Sequence, residues 1–138
     1  MKYETVSSLK KKADKITSEY VRRRYATPKG IAKCYTCGKR AHWKKLQCGH
    51  FIPRSASSTR YLEDNLRVQC VGCNVFGRGQ YATYARNLIK ELGDQRFKEL
   101  LELGNKTHQF TPKELKDIIE ETKEKLKNIP SNSVDFMV

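Results

Sequence analysis

The feature that most constrains the fold of this chain is a pair of short cysteine motifs. Cys34 and Cys37 are separated by two residues, and so are Cys70 and Cys73. A Cys-x2-Cys turn lets both sulfurs point at one ion, and four thiolates satisfy the tetrahedral coordination of Zn²⁺. Because a closed four-cysteine site is structural, we predict a zinc ion that ties the two motifs together and supplies folding free energy.

A second ligand set is compatible with the spacing. It keeps the first motif, adds two residues from the intervening segment and leaves the second motif without metal; its members are Cys34, Cys37, Cys48 and His50. We favour the set of four paired cysteines because it uses both intact motifs. In that set Cys48 is a buried strand residue with no metal to bind.

Disulfide bonds are not expected in this chain. The N-terminus lacks the apolar segment of a secretory signal, and no apolar run approaches the ~20 residues needed to cross a bilayer. We therefore predict an intracellular, cytoplasmic protein without a membrane partner. In that compartment thiols stay reduced, and paired cysteines serve as metal ligands.

The 138 residues have the size of one domain. Apolar residues recur at helical spacing near the N-terminus and again towards the C-terminus, whereas the middle is rich in turn residues. We predict a single α+β domain, 1–138, with four segments: a basic N-terminal helix (5–24), a zinc-binding core (33–78), a helical segment (79–129) and a tail (130–138).

Within these segments the sequence predicts individual elements. Two strand-like runs, 46–52 and 66–70, flank a polar loop, and helices are predicted at 80–92 and 94–103. Gly93 and Gly104 follow these helices and fit C-caps. Thr111, Pro112 and Glu114 form a helix start with a capping box, and that helix should stop at Pro130.

The positive charge is concentrated in the first third of the chain. The formal net charge is +13, and residues 1–47 hold 14 Lys and Arg against three acidic residues. An excess this local predicts a face that binds a polyanion, for which DNA or RNA is the best candidate. The lysines that we expect to contact phosphates lie on the N-terminal helix and are Lys10, Lys11 and Lys12.

The residues between the cysteine motifs suggest chemistry beyond binding. His50 ends the first predicted strand, Asn65 opens the second, and Asn74 follows the second cysteine motif directly. A histidine and two asparagines in this order, with zinc knuckles around them, form the HNH pattern in its H-N-N version.

The match to one family is closer than the general pattern. After the first Cys-x2-Cys come GHFIPR, Arg60, Asn65, QCxxCN, and then Gly79, Gln80 and Tyr84. This array resembles the NinG/Rap family of lambdoid phages, which are recombination endonucleases that act on branched DNA. The resemblance covers about residues 33–103. It implies a ββα-metal (HNH) core stapled by the zinc site and flanked by the terminal helices.

The resemblance also implies roles for the site residues. A base must generate hydroxide to attack a phosphodiester, and His50 is the candidate because imidazole titrates near neutrality. Asn74 is implied as a ligand of a catalytic Mg²⁺ or Mn²⁺, and Asn65 as a residue that bonds backbone and orients the loop. Arg54, Arg60 and Arg78 are expected to clamp phosphates.

One position departs from the family pattern. Many HNH enzymes have Asp or His immediately before the base, as a metal ligand, whereas this chain has Gly49. Either His50 ligates the metal itself, or Glu63 or Asp64 supplies the missing charge, or substrate and water complete the shell. The alternative function is a zinc-ribbon module that binds DNA without cutting it.

Branched DNA has two strands to cut, so we also predict a homodimer with two active sites. The apolar stripe of the N-terminal helix, which begins at Val6 and ends at Tyr20, can serve as the dimer seam or pack within its own chain.

Overall fold

The computed structural model describes residues 4–130. Within this range four α-helices surround two small antiparallel sheets, so the predicted α+β class is confirmed. The helices are α1 (Val6–Arg23), α2 (Tyr81–Leu92), α3 (Asp94–Gly104) and α4 (Pro112–Lys127). The strands are β1 (Ile31–Lys33), β2 (Arg40–His42), β3 (Gln47–His50) and β4 (Leu66–Gln69). The predicted C-terminal tail lies outside the described residues, apart from Pro130.

The helix boundaries follow from their caps. The Thr5 side chain accepts from the Ser8 N–H at the start of α1, and Thr111 and Glu114 form the predicted capping box on α4. Gly93 follows α2 with a φ of 87°, a left-handed conformation that glycine adopts without strain, as predicted for a C-cap.

The prediction that Gly104 caps α3 is wrong. Gly104 lies inside the helix, and the C-cap is Asn105. A side chain at position 104 would collide with Ile52, which packs closely against this turn. Glycine therefore allows close packing between α3 and the loop after β3 without a shift of Ile52.

The two sheets are separate two-stranded units. β1 pairs with β2, and the hairpin between them carries the first cysteine motif. These strands were not predicted from the sequence, because each has only three residues. β3 pairs with β4 in the register His50 opposite Leu66 and Gly49 opposite Arg67. A short π-helical turn, Gly72–Phe76, follows β4, so the order is strand, strand, helical turn.

The apolar stripe of α1 is covered by α4 of the same chain. Leu9 and Ala13 pack with Leu115 and Ile119, and three of these four side chains are almost fully buried. This packing occupies the face that we considered as a dimer seam, so the predicted homodimer would have to use another surface. Every helix in residues 4–130 is too short or too polar to cross a lipid bilayer.

Candidate functional site

The four paired cysteines form one cluster. Their sulfur atoms all lie within 4.8 Å of one another, and Cys37 Sγ is 3.7 Å from Cys70 Sγ. Sulfurs at about 2.3 Å from a tetrahedral Zn²⁺ are roughly 3.8 Å apart, a separation close to that of the Cys37 and Cys70 sulfurs. The β1–β2 hairpin supplies Cys34 and Cys37, while Cys70 and Cys73 follow β4. This cluster can hold a metal ion, as predicted.

Backbone amides donate hydrogen bonds to two of these sulfurs. The Lys39 N–H donates to Cys37 Sγ, and the Cys73 N–H donates to Cys70 Sγ; the distance between nitrogen and sulfur is 3.4 Å in each. Hydrogen bonds to the charged form of a group favour that form, and the thiolate is the form that binds metal.

The alternative ligand set is wrong. Cys48 and His50 lie apart from the cysteine cluster, in the lining of a different cavity. Burial raises the pKa of the Cys48 thiol to about 12, so this sulfur is neutral at physiological pH. Cys48 is therefore a partly buried strand residue and not a zinc ligand.

The cavity that Cys48 and His50 line brings together residues that are distant in sequence. It has a volume of about 280 Å³ and lies between α1, the end of β3 and the turn after β4. His50, Arg54, Arg60 and Asn74 all line it, as does Asp14 from α1. Three of the predicted site roles therefore meet in one place: base, metal ligand and phosphate clamp.

His50 is held by the loop that follows it. Its Nε2 lies 3.1 Å from the backbone carbonyl oxygen of Arg60. A carbonyl can only accept, so Nε2 carries the proton and Nδ1 keeps its lone pair. Burial lowers the pKa of His50 below its ordinary value of 6.5, and this effect outweighs the opposing effect of the Arg60 carbonyl. The imidazole is therefore neutral at physiological pH.

Asn65 is completely buried and ties the loop together. Its Oδ1 accepts from the Ile52 N–H at 2.7 Å, and its Nδ2 donates to the carbonyls of Ile52 and Thr59. These bonds close the loop between β3 and β4. The same loop presents the Arg60 carbonyl to His50, so Asn65 acts on the histidine through backbone structure.

Asn74 lies in the π-helical turn next to the second cysteine motif. Its Nδ2 donates to Gln47 Oε1 at 2.7 Å, and its backbone N–H donates to the Cys70 carbonyl. The second cysteine motif therefore helps to fix the backbone of Asn74, and a neighbouring strand fixes its side chain.

The three arginines have different surroundings. Arg54 is exposed and lines the cavity. Arg60 forms a two-point ion pair with Asp14, in which Nε and Nη2 lie 2.9 and 2.5 Å from the carboxylate oxygens. Arg78 is exposed, with a left-handed backbone (φ 53°), and is not among the residues that line the cavity.

The surroundings of Gly49 account for the glycine at this position. A Cβ at this position would overlap the buried side chain of Gln69, so a ligand side chain would fit there only if Gln69 moved. The suggestion that Glu63 or Asp64 supplies the missing charge is wrong. Both line a separate cleft, where Glu63 pairs with Arg24 and Lys125 and Asp64 pairs with Arg96; the carboxylate that does line the His50 cavity is Asp14.

A basic groove adjoins this cavity. It is lined by Lys10, Lys11, Arg54 and Arg60, and it shares both arginines and Asp14 with the cavity. Lys12 does not line the groove or the cavity, and it pairs with Glu4. The structure thus separates the three predicted lysines into two beside the cavity and one away from it.

Sequence reasoning missed Asp14 and Gln47. Asp14 carried a faint signal, since it is the one acid in a run that includes Lys10, Lys11, Lys12 and Lys15. Gln47 carried none, because a polar residue in a short strand is ordinary.

The described residues define a small α+β protein in which a cluster of four cysteines, able to hold a metal ion, lies beside a cavity lined by His50 and Asn74. The chain belongs to the NinG family of phage proteins. The family model, described as Bacteriophage Lambda NinG protein, matches residues 2–132.

Curated relatives agree with this assignment. Protein ninG of Escherichia phage lambda is 32% identical over 99 residues, which are 70% of this chain and 47% of that protein. Protein ninG of Salmonella phage P22 is 33% identical with the same coverage. The chain spans about half the length of the curated relatives it matches. No solved structure matches it.

Proposed function

We propose that this protein is a metal-dependent endonuclease that cleaves DNA phosphodiester bonds with an HNH core made of β3, β4 and the following π-helical turn. The observation that carries the proposal is the cavity in which His50 and Asn74 meet arginines at the end of a basic groove. A phosphate backbone lying in that groove would pass the histidine.

His50 is the general base in this proposal. The Arg60 carbonyl fixes the tautomer that leaves Nδ1 free to take a proton from water, and burial keeps the ring neutral. Arg54 would contact the phosphate. Arg60 would do so only after exchanging its partner Asp14 for the substrate.

The proposed cofactors are a structural Zn²⁺ at the cysteine cluster and a catalytic Mg²⁺ or Mn²⁺ in the cavity. Hard cations prefer oxygen ligands, and the Asn74 amide oxygen and the Asp14 carboxylate both belong to this cavity. When bound, such a cation offsets negative charge on the phosphate and the leaving oxygen. The products of DNA cleavage would carry 5′-phosphate and 3′-hydroxyl ends.

The proposed substrate is branched DNA of recombination, such as Holliday junctions or D-loops, and the proposed assembly is a homodimer. The substrate rests on the resemblance of the motif array to recombination endonucleases, and the homodimer rests on the two strands that a junction offers for cutting. The test is to incubate the zinc-loaded protein with a four-way junction and a linear duplex of equal length, in Mg²⁺ or Mn²⁺ and then in EDTA. We expect cation-dependent cleavage that is faster on the junction.

A zinc-ribbon module that binds DNA without cutting it is the second candidate. Gly49 favours it, because the side chain that many HNH enzymes use as a ligand is missing. Tight binding of both substrates without any cleaved product would select this candidate and overturn the endonuclease.

The midpoint of the pH dependence of cleavage should lie below 6.5. The base must be unprotonated, and burial lowers the pKa of His50. The Arg60 carbonyl and Asp14 oppose this effect, while the charges of Arg54 and Arg60 act in the same direction as burial. The rate should therefore rise with pH to a plateau that is reached at lower pH than for a free histidine. Single-turnover rates at saturating cation measure the midpoint, and a midpoint above 7 would contradict the assignment.

Replacing Lys10 and Lys11 with glutamine should weaken DNA binding and flatten its salt dependence. Each lost phosphate contact lowers the slope of log K against log salt by about 0.9 on duplex DNA, so the double variant should lose about 1.8. Lys12→Gln is the matched control, because Lys12 already pairs with Glu4. An equal effect of the control would mean that the groove does not bind DNA.

A further inference from the structure

The side chains of Gln47 and Asn74 form a pair at the edge of the cavity. Gln47 is the first residue of β3, and Asn74 lies 27 positions later in the π-helical turn. Asn74 Nδ2 donates to Gln47 Oε1 over 2.7 Å, and both residues are half-buried and line the cavity. This hydrogen bond joins the first strand of the proposed core to the turn that carries the proposed cation ligand.

The bond decides which end of the Asn74 amide is available. A carboxamide has one oxygen that accepts and one NH₂ group that donates. Nδ2 is directed at Gln47, and Oδ1, which is bonded to the same carbon, therefore points away from Gln47. Only the oxygen can coordinate Mg²⁺ or Mn²⁺, because these cations take oxygen ligands. An amide free to turn would present NH₂ to the cation for part of the time.

We propose that Gln47 is a positioning residue that holds the Asn74 amide oxygen ready for the catalytic cation, an inference that rests on the proposed function. A ligand in a metal site is oriented by the partner behind it, and loss of such a partner weakens metal affinity. Gln47 is suited to this task because its Oε1 is a neutral acceptor for the Asn74 amide.

The inference is tested by measuring the affinity of the zinc-loaded protein for Mn²⁺. Mn²⁺ is titrated in the absence of DNA, and its binding is followed by electron paramagnetic resonance. Gln47→Met keeps the length of the side chain and removes the acceptor. We expect it to weaken Mn²⁺ binding by about tenfold or more. Gln47→Glu keeps an acceptor for Nδ2, so it should bind Mn²⁺ as tightly as the unchanged protein or more tightly.

Two further variants separate this inference from the proposed function. Asn74→Ala should remove the Mn²⁺ site altogether, and Gln109→Met, at an exposed position outside the cavity, should leave affinity unchanged. Zinc content and circular dichroism report whether each variant is folded.

If Asn74→Ala abolishes Mn²⁺ binding and folded Gln47→Met binds Mn²⁺ with unchanged affinity, the role of Gln47 is wrong and the proposed cation site stands. The inference also fails if Gln47→Glu weakens binding tenfold, because the hydrogen bond would then not be what matters. Mn²⁺ binding that Asn74→Ala does not reduce removes the proposed cation site itself, and the role of Gln47 with it.

Discussion

Replacing His50 with alanine should abolish DNA cleavage while zinc content and DNA affinity stay near those of the unchanged protein. A general base acts in the transition state, and its loss costs about 100- to 10,000-fold in rate. Nothing in the cysteine cluster depends on His50, since the four sulfurs that can hold metal all come from other residues. The effect should therefore fall on the rate and not on folding.

Single-turnover cleavage, salt-matched DNA binding and metal analysis on the same preparation measure these three properties. His108→Ala is the matched control, because His108 is exposed and lies outside the cavity, where it pairs with Glu114. Cleavage retained by His50→Ala would place the base elsewhere. Loss of zinc in this variant would contradict the ligand assignment.

Replacing any one of the four clustered cysteines with serine should unfold the central region. Cys34, Cys70 and Cys73 are buried in a small core with Ala32 and Leu46, which holds few other large apolar side chains. Structural zinc contributes on the order of 10 kcal/mol or more to the folding of small metal domains, which exceeds the stability of most domains. Three thiolates without the fourth should hold zinc too weakly to compensate.

Cys48→Ser is the matched control for these variants. Cys48 lies outside the cluster as a neutral thiol, so this variant should keep one zinc per chain and a melting temperature close to that of the unchanged protein. Equal sensitivity of all five cysteines, or a folded protein without bound metal, would contradict the structural role of the cluster.

The parts of the site that the sequence predicted are those with short-range signals. Two residues between paired cysteines force both sulfurs toward one point, and Thr111 and Glu114 satisfy each other within one helical turn. His50 and Asn74 could be named because their distances from the cysteine motifs match a known pattern.

The parts that the sequence did not predict depend on pairing across long separations. Asp14 meets Arg60 only because α1 packs beside the β3–β4 loop, 46 residues away in the chain. Glu63 and Asp64 are next to the site in sequence, but the 3₁₀ turn at Glu63–Asn65 and their ion pairs place them in another cleft. No periodicity or local spacing encodes either result.

Endonuclease activity is measured most directly as conversion of supercoiled plasmid to nicked circles by the zinc-loaded protein in Mg²⁺ or Mn²⁺. The proposed endonuclease should give nicked circles that DNA ligase reseals, since the ends would be 5′-phosphate and 3′-hydroxyl, and His50→Ala should give none. Plasmid that is bound but stays supercoiled in both cations would contradict the proposed endonuclease.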